Sequence, residues 1–316
     1  MTPLDFESAN AKFWSELEAQ LDKPERQLNP DRFLGLYRLC CEHLALAQAR
    51  GFPTPVVERL ASITARAHQI IYRRSEFGLA RIADLLLRQF PLMVRRHWLY
   101  VAVATACLML PALMLGMATY LQPDLILAIV DRQTAAEFDQ MYAPTAEAIG
   151  RTRDAGSNWL MFGYYIKNNI GIAFQCYATG IAFGLGCVFY LIFNGAYGGG
   201  IAGYVSAHGH APTFFTFIAT HSAFELTAIV LSGAAGLRLG KAVLLPGRQT
   251  RMAALQSAAA ETSVIIFGTA AMLVIAAAIE AFWSSAPWVT PLAKLSGAAL
   301  CWGLVLFFFC RRPHAS

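Results

Sequence analysis

The chain has 316 residues, of which 56% are hydrophobic and only 14% are charged, a balance that argues against an ordinary soluble enzyme. The formal net charge of +5 is too small and too dispersed to indicate nucleic-acid binding. Of the 45 charged residues, 25 lie in the first 97 positions, whereas positions 168–224 contain none. Since about 20 apolar residues suffice to cross a membrane, we predict an all-α polytopic membrane protein with a polar N-terminal part.

The N-terminal region, residues 1–96, is predicted to be helical and cytoplasmic. Its first 21 residues alternate acidic with apolar positions, and the first long apolar run begins only at Trp98, a pattern that does not fit a signal peptide. Asn29 and Thr54 each precede a proline. A capping side chain followed by proline is typical of a helix start, so we expect one helix to begin at each place.

The second of these helices is predicted to run from residue 55 to residue 90 and to carry a basic stripe. A seven-residue repeat drifts only slightly around a helix, and apolar residues occupy the opposite face. The repeating arginines are Arg59, Arg66, Arg73, Arg74, Arg81, Arg88 and Arg95. The stripe fits either a solvated face of a helical bundle or contact with anionic lipid headgroups near the membrane. The candidates for headgroup contact are Arg88, Arg95 and Arg96.

The C-terminal region, residues 97–310, is predicted to be a transmembrane domain with about six spans. We expect these spans at about 98–120, 168–193, 195–208, 213–233, 262–281 and 293–310. Asn194-Gly195 and the glycines that follow are interpreted as a break between the second and third spans. The third span is short enough to be a half-span or a re-entrant segment shielded by its neighbours.

The charges of the loops predict the orientation of the spans. Segment 121–167 contains six acidic and four basic residues and is expected to be external, whereas loop 238–252 contains four basic and no acidic residues and is expected to be cytoplasmic. Arg311 and Arg312 close the chain. Both termini are therefore predicted to be cytoplasmic.

The most informative polar residues are His221 and Glu225, because a spacing of four places them on one helix face. Counting from the expected span start at Thr213 puts Glu225 roughly 18 Å deep, near the middle of the membrane. Ionisable groups at such a depth are functional candidates. Gln175 on the second span is expected at the level of His221 and within reach of a hydrogen bond. The polar residues expected at the interface are Asn168, Asn169 and Asn194.

Three interpretations of this intramembrane polar site stay open. The His221–Glu225 pair could fix helix packing through hydrogen bonds, bind protons, ions or a lipid headgroup, or bind a metal. His208 and His210 could add metal ligands, but they are expected at the outer edge, and this difference in depth counts against a metal. We therefore predict no metal and no cofactor. Glu261 and Glu280, near span ends, are expected to be interfacial anchors, and Lys294 is expected to reach the outer edge.

Catalytic motifs are absent from the sequence. It contains no HExxH, no GxSxG and no Walker-type GxxxxGK[ST], so no enzymatic activity is predicted. The seven cysteines are odd in number and include no CxxC pair, and none falls in the predicted external segment. Neither a disulfide framework nor a zinc cluster is indicated.

Several short motifs, taken in order from about residue 70 to residue 310, resemble the stage II sporulation protein M family. They are YRRS at 72–75, FP at 90–91 with RR at 95–96, YIKNNIGIAF at 165–174, GIAFGLG at 180–186, NG at 194–195, HSAFEL at 221–226, GAAGLRLG at 233–240, PGR at 246–248 and IEAF at 279–282. The resemblance implies an integral protein of the bacterial cytoplasmic membrane. It also implies a membrane anchor for proteins that remodel peptidoglycan, rather than the hydrolase itself, and similar proteins occur in bacteria that make no spores.

Together, these observations predict a non-enzymatic membrane scaffold of a complex that remodels or maintains the cell envelope. Its expected partners are membrane lipids and other envelope proteins such as peptidoglycan hydrolases, and the glycine-rich spans permit a homo-oligomer. No nucleic acid is expected. The alternative is a transporter or channel-like protein whose pathway includes Gln175, His221 and Glu225.

Overall fold

A computed structural model of the chain describes residues 2–22, 29–71, 78–143 and 157–311. Throughout these residues the regular secondary structure is helical, which confirms the predicted all-α fold. The chain divides into two compact units, residues 1–81 and 82–316. The boundary at residue 96 between a cytoplasmic region and a transmembrane domain stays a prediction. Several charged residues of the predicted stripe, external segment and C-terminus lie outside the described residues, namely Arg73, Arg74, Glu147, Arg151, Arg153, Asp154 and Arg312.

The N-terminal unit is built from three helices, α1 (Pro3–Leu21), α2 (Pro30–Ala49) and α3 (Thr54–Ile71). α2 begins where the sequence predicts, because the Asn29 side chain accepts a hydrogen bond from the Arg32 amide. The core contains fully buried Trp14, Leu17 and Leu60. Leu36 of α2 is buried in the same core. Burying large side chains from all three helices supplies the main stabilisation of a small helical unit. This unit therefore has a hydrophobic core of its own.

The predicted helix from 55 to 90 is wrong in its extent. α3 ends at Ile71, and a separate helix, α4 (Leu79–Asp84), begins after Gly78, whose carbonyl accepts from the Arg81 amide. Part of the basic stripe is paired, since Arg59 forms an ion pair of 2.9 Å with Glu18. Arg66 forms an ion pair of 2.7 Å with Asp22. These arginines therefore contact acidic residues of the same unit.

The remaining chain forms helices of very different lengths. In order, they are a π-helical turn (Leu85–Gln89), α5 (Phe90–Arg96), α6 (Trp98–Leu121), a 3₁₀ turn (Pro123–Ala128), α7 (Arg132–Tyr142), α8 (Asn158–Ala178), a 3₁₀ turn (Thr179–Ile181), α9 (Leu185–Ala207), α10 (Ala211–Ile218), α11 (Ser222–Leu244), α12 (Arg251–Ile279), a π-helical turn (Glu280–Ser284) and α13 (Pro291–Cys310). Among the described residues, five segments are long and apolar enough to cross a membrane: α6, α9, α11, α12 with its π-helical turn, and α13.

A sixth helix, α8, extends along the bundle although it is too polar to count among those five. Near its start, Tyr165 packs with Ala277 and Ala281 of α12 and its π-helical turn. Near its end, the Tyr177 hydroxyl lies 3.3 Å from the Thr262 hydroxyl, about four turns earlier on α12. α8 is therefore antiparallel to α12 and passes through most of the bundle. The prediction of about six crossings fits this arrangement.

The predicted break between the second and third spans is wrong. The chain turns at residues 179–184, where Gly184 adopts a left-handed φ of +82°, and Gly195 lies inside the continuous helix α9. The glycines of α9 serve close packing instead, because a Cβ atom at Gly195 or Gly199 would overlap the backbone of Leu108 or Ala112 on α6. Thr119 of α6 also donates a hydrogen bond of 2.9 Å to the carbonyl of Gly200.

The predicted span 213–233 is also wrong, since two helices occupy this region. The short helix α10 ends at Ile218, and α11 starts only at Ser222 and continues to Leu244. The predicted span 262–281 lies within a longer helix, because α12 already begins at Arg251. By contrast, the expected spans 98–120 and 293–310 match α6 and α13 within two residues at each end.

Candidate intramembrane polar site

The start of α11 determines where His221 and Glu225 lie. Ala219 and Thr220 form a turn after α10, His221 is the N-cap residue, and Glu225 falls in the first turn of α11. At 1.5 Å per residue, Glu225 is about 5 Å from the helix start. The depth count that put Glu225 near the middle of the membrane began at Thr213, and this starting point is wrong because α10 and α11 are separate helices.

Three ionisable side chains meet at this end of α11. The ligating atoms of His221, Glu225 and Glu280 all lie within 4.8 Å of one another. The His221 Nε2 and Glu225 Oε2 atoms are 4.0 Å apart. His221 and Glu280 are buried, and Glu225 is mostly so. We call these three residues the acidic–histidine cluster.

The π-helical turn after α12 supplies two groups to the surroundings of His221. It carries Glu280 at its start and Ser284 at its end. The Ser284 hydroxyl lies 3.0 Å from His221 Nδ1, within hydrogen-bonding distance. Because Nδ1 is engaged in this way, the opposite nitrogen, Nε2, is the one near the Glu225 carboxylate. π-helical turns inside α-helices occur frequently at functional sites.

Lys294 of α13 places a positive charge beside the cluster. Its Nζ donates a hydrogen bond of 2.7 Å to the Ser284 carbonyl, and its side chain is buried. Its own carbonyl accepts a hydrogen bond of 3.0 Å from the Thr220 hydroxyl. The expectation that Lys294 reaches the outer edge is therefore wrong. The Lys294 ammonium group therefore lies close to Ser284, the residue whose hydroxyl contacts His221.

Gln175, the predicted hydrogen-bond partner of His221, does not join the cluster. Its side chain is exposed on the outer face of α8. Asn168 and Asn169, expected at the interface, lie in the middle of α8, where the Asn168 amide donates to the Asn169 oxygen at 2.9 Å. Asn169 is buried, and Asn168 is exposed. Asn194 lies inside α9 and donates a hydrogen bond of 2.7 Å to the Tyr190 carbonyl of its own helix.

Glu280 was not predicted to contribute to the site. Its position at the edge of an apolar stretch suggested an interfacial anchor, and the fold brings it to His221 instead. The sequence signal is a single acidic residue at the end of an apolar stretch, and this pattern fits an interfacial anchor equally well. Sequence alone does not show that the π-helical turn with Glu280 and Ser284 packs against the start of α11.

A second polar group connects the opposite ends of the same helices. Arg238 near the end of α11 donates a hydrogen bond of 2.9 Å to Glu261 of α12. Arg96 Nε lies 3.3 Å from the other carboxylate oxygen of Glu261, and the buried His97 Nε2 lies at the same distance. Glu261, expected to be an interfacial anchor, is thus an ion-pair partner that holds α5, α11 and α12 together.

The three arginines predicted to contact lipid headgroups lie in different environments. Arg95 donates hydrogen bonds of 3.2 Å and 2.9 Å to the carbonyls of Phe309 and Arg311 at the end of α13. Arg96 pairs with Glu261 but keeps two thirds of its side chain exposed. Arg88 is the most open of the three and lies 3.9 Å from Asp84. Headgroup contact stays a prediction, and it suits Arg88 better than Arg95.

The described part of the predicted external segment includes α7, which packs against α9 and α10. Tyr142 of α7 stacks edge-on against Phe214 of α10 at a centroid distance of 4.9 Å. Asp139 of α7 accepts a hydrogen bond of 2.7 Å from the Tyr204 hydroxyl. His208 and His210 each approach the same carboxylate to 3.9 Å. These two histidines therefore face Asp139.

Comparisons with known proteins place the acidic–histidine cluster inside a recognised domain. A family model described as Stage II sporulation protein M matches residues 99–285, more than half of the chain. A second model, described as Domain of unknown function (DUF8413), matches residues 4–73, which include the three helices of the N-terminal unit up to Ile71. The search of curated proteins and the search of solved structures found no match.

Proposed function

The chain belongs to the stage II sporulation protein M family, and we propose that it is a non-enzymatic scaffold in the bacterial cytoplasmic membrane. In this proposal both termini are cytoplasmic, and the protein holds together a complex that remodels or maintains the cell envelope. Peptidoglycan hydrolases are the partners that the family resemblance suggests. The polytopic helical bundle is the part of this description that the fold supports directly.

The observation that carries the scaffold proposal is the presence of two separately packed units in one chain. The N-terminal unit has its own buried core of aromatic and aliphatic side chains. The membrane unit presents a polar surface of its own, because α7 is fixed by Tyr142 and Asp139 while Glu137 and Gln140 stay exposed. Under the predicted orientation these two surfaces face opposite sides of the membrane. A scaffold that connects cytoplasmic and external partners needs both.

Site-specific photo-crosslinking in the native membrane tests the scaffold proposal. A photoreactive residue is placed at Gln140 on α7 or at Glu42 on α2, both exposed. The matched control position is Met114 on α6, which is 73% exposed on an apolar helix face. We expect Gln140 and Glu42 to capture defined envelope proteins that Met114 does not capture. The same set of abundant membrane proteins at all three positions would contradict a scaffold.

Transport is the second candidate, and the acidic–histidine cluster favours it. Ionisable side chains within membrane bundles commonly line pathways for ions or protons, and Glu225 keeps 22% of its side chain exposed. Flux is measured with the purified protein in liposomes. The transport candidate expects flux that Glu225→Gln abolishes and that Gln175→Ala, at an exposed position outside the cluster, leaves intact. If the wild-type protein produces no flux of protons or metal ions, the transport candidate is rejected.

A further inference from the structure

We propose that His221, Glu225 and Glu280 form a binding site for a divalent transition-metal ion such as Zn²⁺ or Mn²⁺. This inference does not depend on whether the protein is a scaffold or a transporter. The ion would join the start of α11 to the π-helical turn that follows α12. It would therefore connect two helices whose residues are more than 50 positions apart in the sequence.

The spacing of the donor atoms fits such an ion after a small adjustment. All three ligating atoms lie within 4.8 Å of one another. Donors bound to Zn²⁺ at about 2.1 Å stand about 3.4 Å apart in a tetrahedral site. The His221–Glu225 pair, at 4.0 Å, is already close to that separation. Flexible glutamate side chains can supply the remaining movement without a shift of the helices.

The chemical types of the three donor groups indicate which class of metal ion the site would bind. One imidazole nitrogen and two carboxylates form a mixed set that suits Zn²⁺, Mn²⁺ or Fe²⁺ better than Ca²⁺ or Mg²⁺, which prefer oxygen donors alone. Three protein ligands also leave a fourth position for water. The His221–Glu225 spacing of four residues brings both donors to one side of α11. A helical ligand pair of this kind needs no special loop.

Ser284 orients the His221 ring for metal binding. Metal-binding histidines commonly donate their second ring N–H to an oxygen, which fixes the tautomer and the ring orientation. The Ser284 hydroxyl lies 3.0 Å from His221 Nδ1 and can accept that proton. The Nε2 lone pair is then free to bind a metal ion, and Nε2 lies 4.0 Å from Glu225 Oε2. Phe217 of α10 contacts the ring at a centroid distance of 5.3 Å and limits its rotation.

The charges around the cluster also favour a bound cation. Glu225 and Glu280 bring two carboxylates to a largely buried place beside His221. Burial of carboxylates is costly. A divalent ion held between them would reduce this cost. A single proton shared by the cluster would do the same, and the experiment must separate these two occupants.

Cobalt binding separates a metal site from a proton site. Tag-free protein in detergent is stripped with a chelator and dialysed against Co²⁺, and bound metal is counted by mass spectrometry and followed by visible absorption. We expect one Co²⁺ per chain with nitrogen and oxygen ligands, displaced by Zn²⁺. Glu280→Gln, nearly identical in shape, should abolish binding. Ser284→Ala should weaken it about 10- to 100-fold, since it removes only the orienting group.

Two controls make the result decisive. His210→Gln alters the other place where histidines approach a carboxylate, near Asp139, and should leave Co²⁺ binding unchanged. Size-exclusion chromatography and circular dichroism check that each variant is folded, and Glu225→Gln replaces Glu280→Gln if the latter is not. Wild-type protein that binds no Co²⁺ would overturn the proposal and leave a proton as the occupant. A sulfur-to-cobalt charge-transfer band, or loss of binding in His210→Gln alone, would overturn it as well.

Discussion

The packing of α9 on α6 leads to a sharp prediction about two neighbouring glycines. Gly199 faces α6, where a Cβ atom would overlap the Ala112 backbone, while a Cβ atom at Gly198 would meet no atom within 4 Å. The same substitution, glycine to alanine, can therefore be made at adjacent positions with opposite steric consequences. We expect Gly199→Ala to destabilise the bundle and Gly198→Ala to leave it unchanged or slightly more stable.

The magnitude follows from comparing the two variants. Alanine favours a helix over glycine by about 1 kcal/mol, and this gain applies equally at both positions. It therefore cancels in the difference between them. Overpacking typically costs 1–3 kcal/mol, and the upper end applies because the obstacle at Gly199 is backbone rather than a flexible side chain. Gly199→Ala should thus be about 3 kcal/mol less stable than Gly198→Ala.

Unfolding of the purified protein in mixed micelles, titrated with sodium dodecyl sulfate and followed by circular dichroism, measures this difference. The two variants are compared with the wild type in the same detergent. Equal stability of both variants, within about 0.5 kcal/mol, would refute the close approach of α9 to α6.

Two further predictions concern ionisable side chains. Glu261→Gln should destabilise the bundle by about 2 kcal/mol in the same titration, since it breaks a mostly buried ion pair with Arg238. The control is the exposed ion pair between Asp84 and Arg88. Its variant Asp84→Asn should reduce the stability by less than about 0.5 kcal/mol. Burial lowers the pKa of His43 in the folded protein below its usual 6.5. As the pH falls, His43 therefore becomes protonated in the unfolded chain at a higher pH than in the folded protein. The stability of the N-terminal unit should fall as the pH drops below about 6.5. His43→Gln should reduce this pH dependence in thermal unfolding; an unchanged dependence would contradict the assignment.

The sequence was most informative where one physical signal dominates. Continuous apolar composition is sufficient to locate α6 and α13 within two residues at each end, because a helix in lipid must satisfy all its backbone hydrogen bonds internally. The i, i+4 spacing of His221 and Glu225 likewise requires no tertiary information.

Glycine can either allow close packing inside a continuous helix or form a turn between helices, and the sequence does not distinguish these two cases. Gly195 and Gly199 permit close packing of α9 on α6, whereas Gly184 adopts a positive φ in the turn before α9. The break was therefore predicted about ten residues too late. The residues of the actual turn, 179–184, are small or apolar and carry no charge that marks a helix end.

The composition of the acidic–histidine cluster depends on tertiary packing. Glu280, Ser284 and Lys294 reach His221 only because α11, α12 and α13 meet at one end of the bundle. Hydropathy indicates that these helices exist but does not indicate which faces meet. Gln175 was an incorrect choice for the same reason, since a depth count gives the level of a residue and not its direction around the helix.

The central claim of this account is that α8 and α9 are two separate crossings that meet in the turn at residues 179–184. Labelling of single cysteines with a membrane-impermeant reagent tests it most directly, in a background without the seven native cysteines. Ala182, Gln140 and Gln249 are exposed positions for these cysteines. We predict that Ala182→Cys reacts from the same side as Gln249→Cys and from the side opposite to Gln140→Cys. Reaction of Ala182→Cys from the side of Gln140→Cys, or from neither side, would contradict the account.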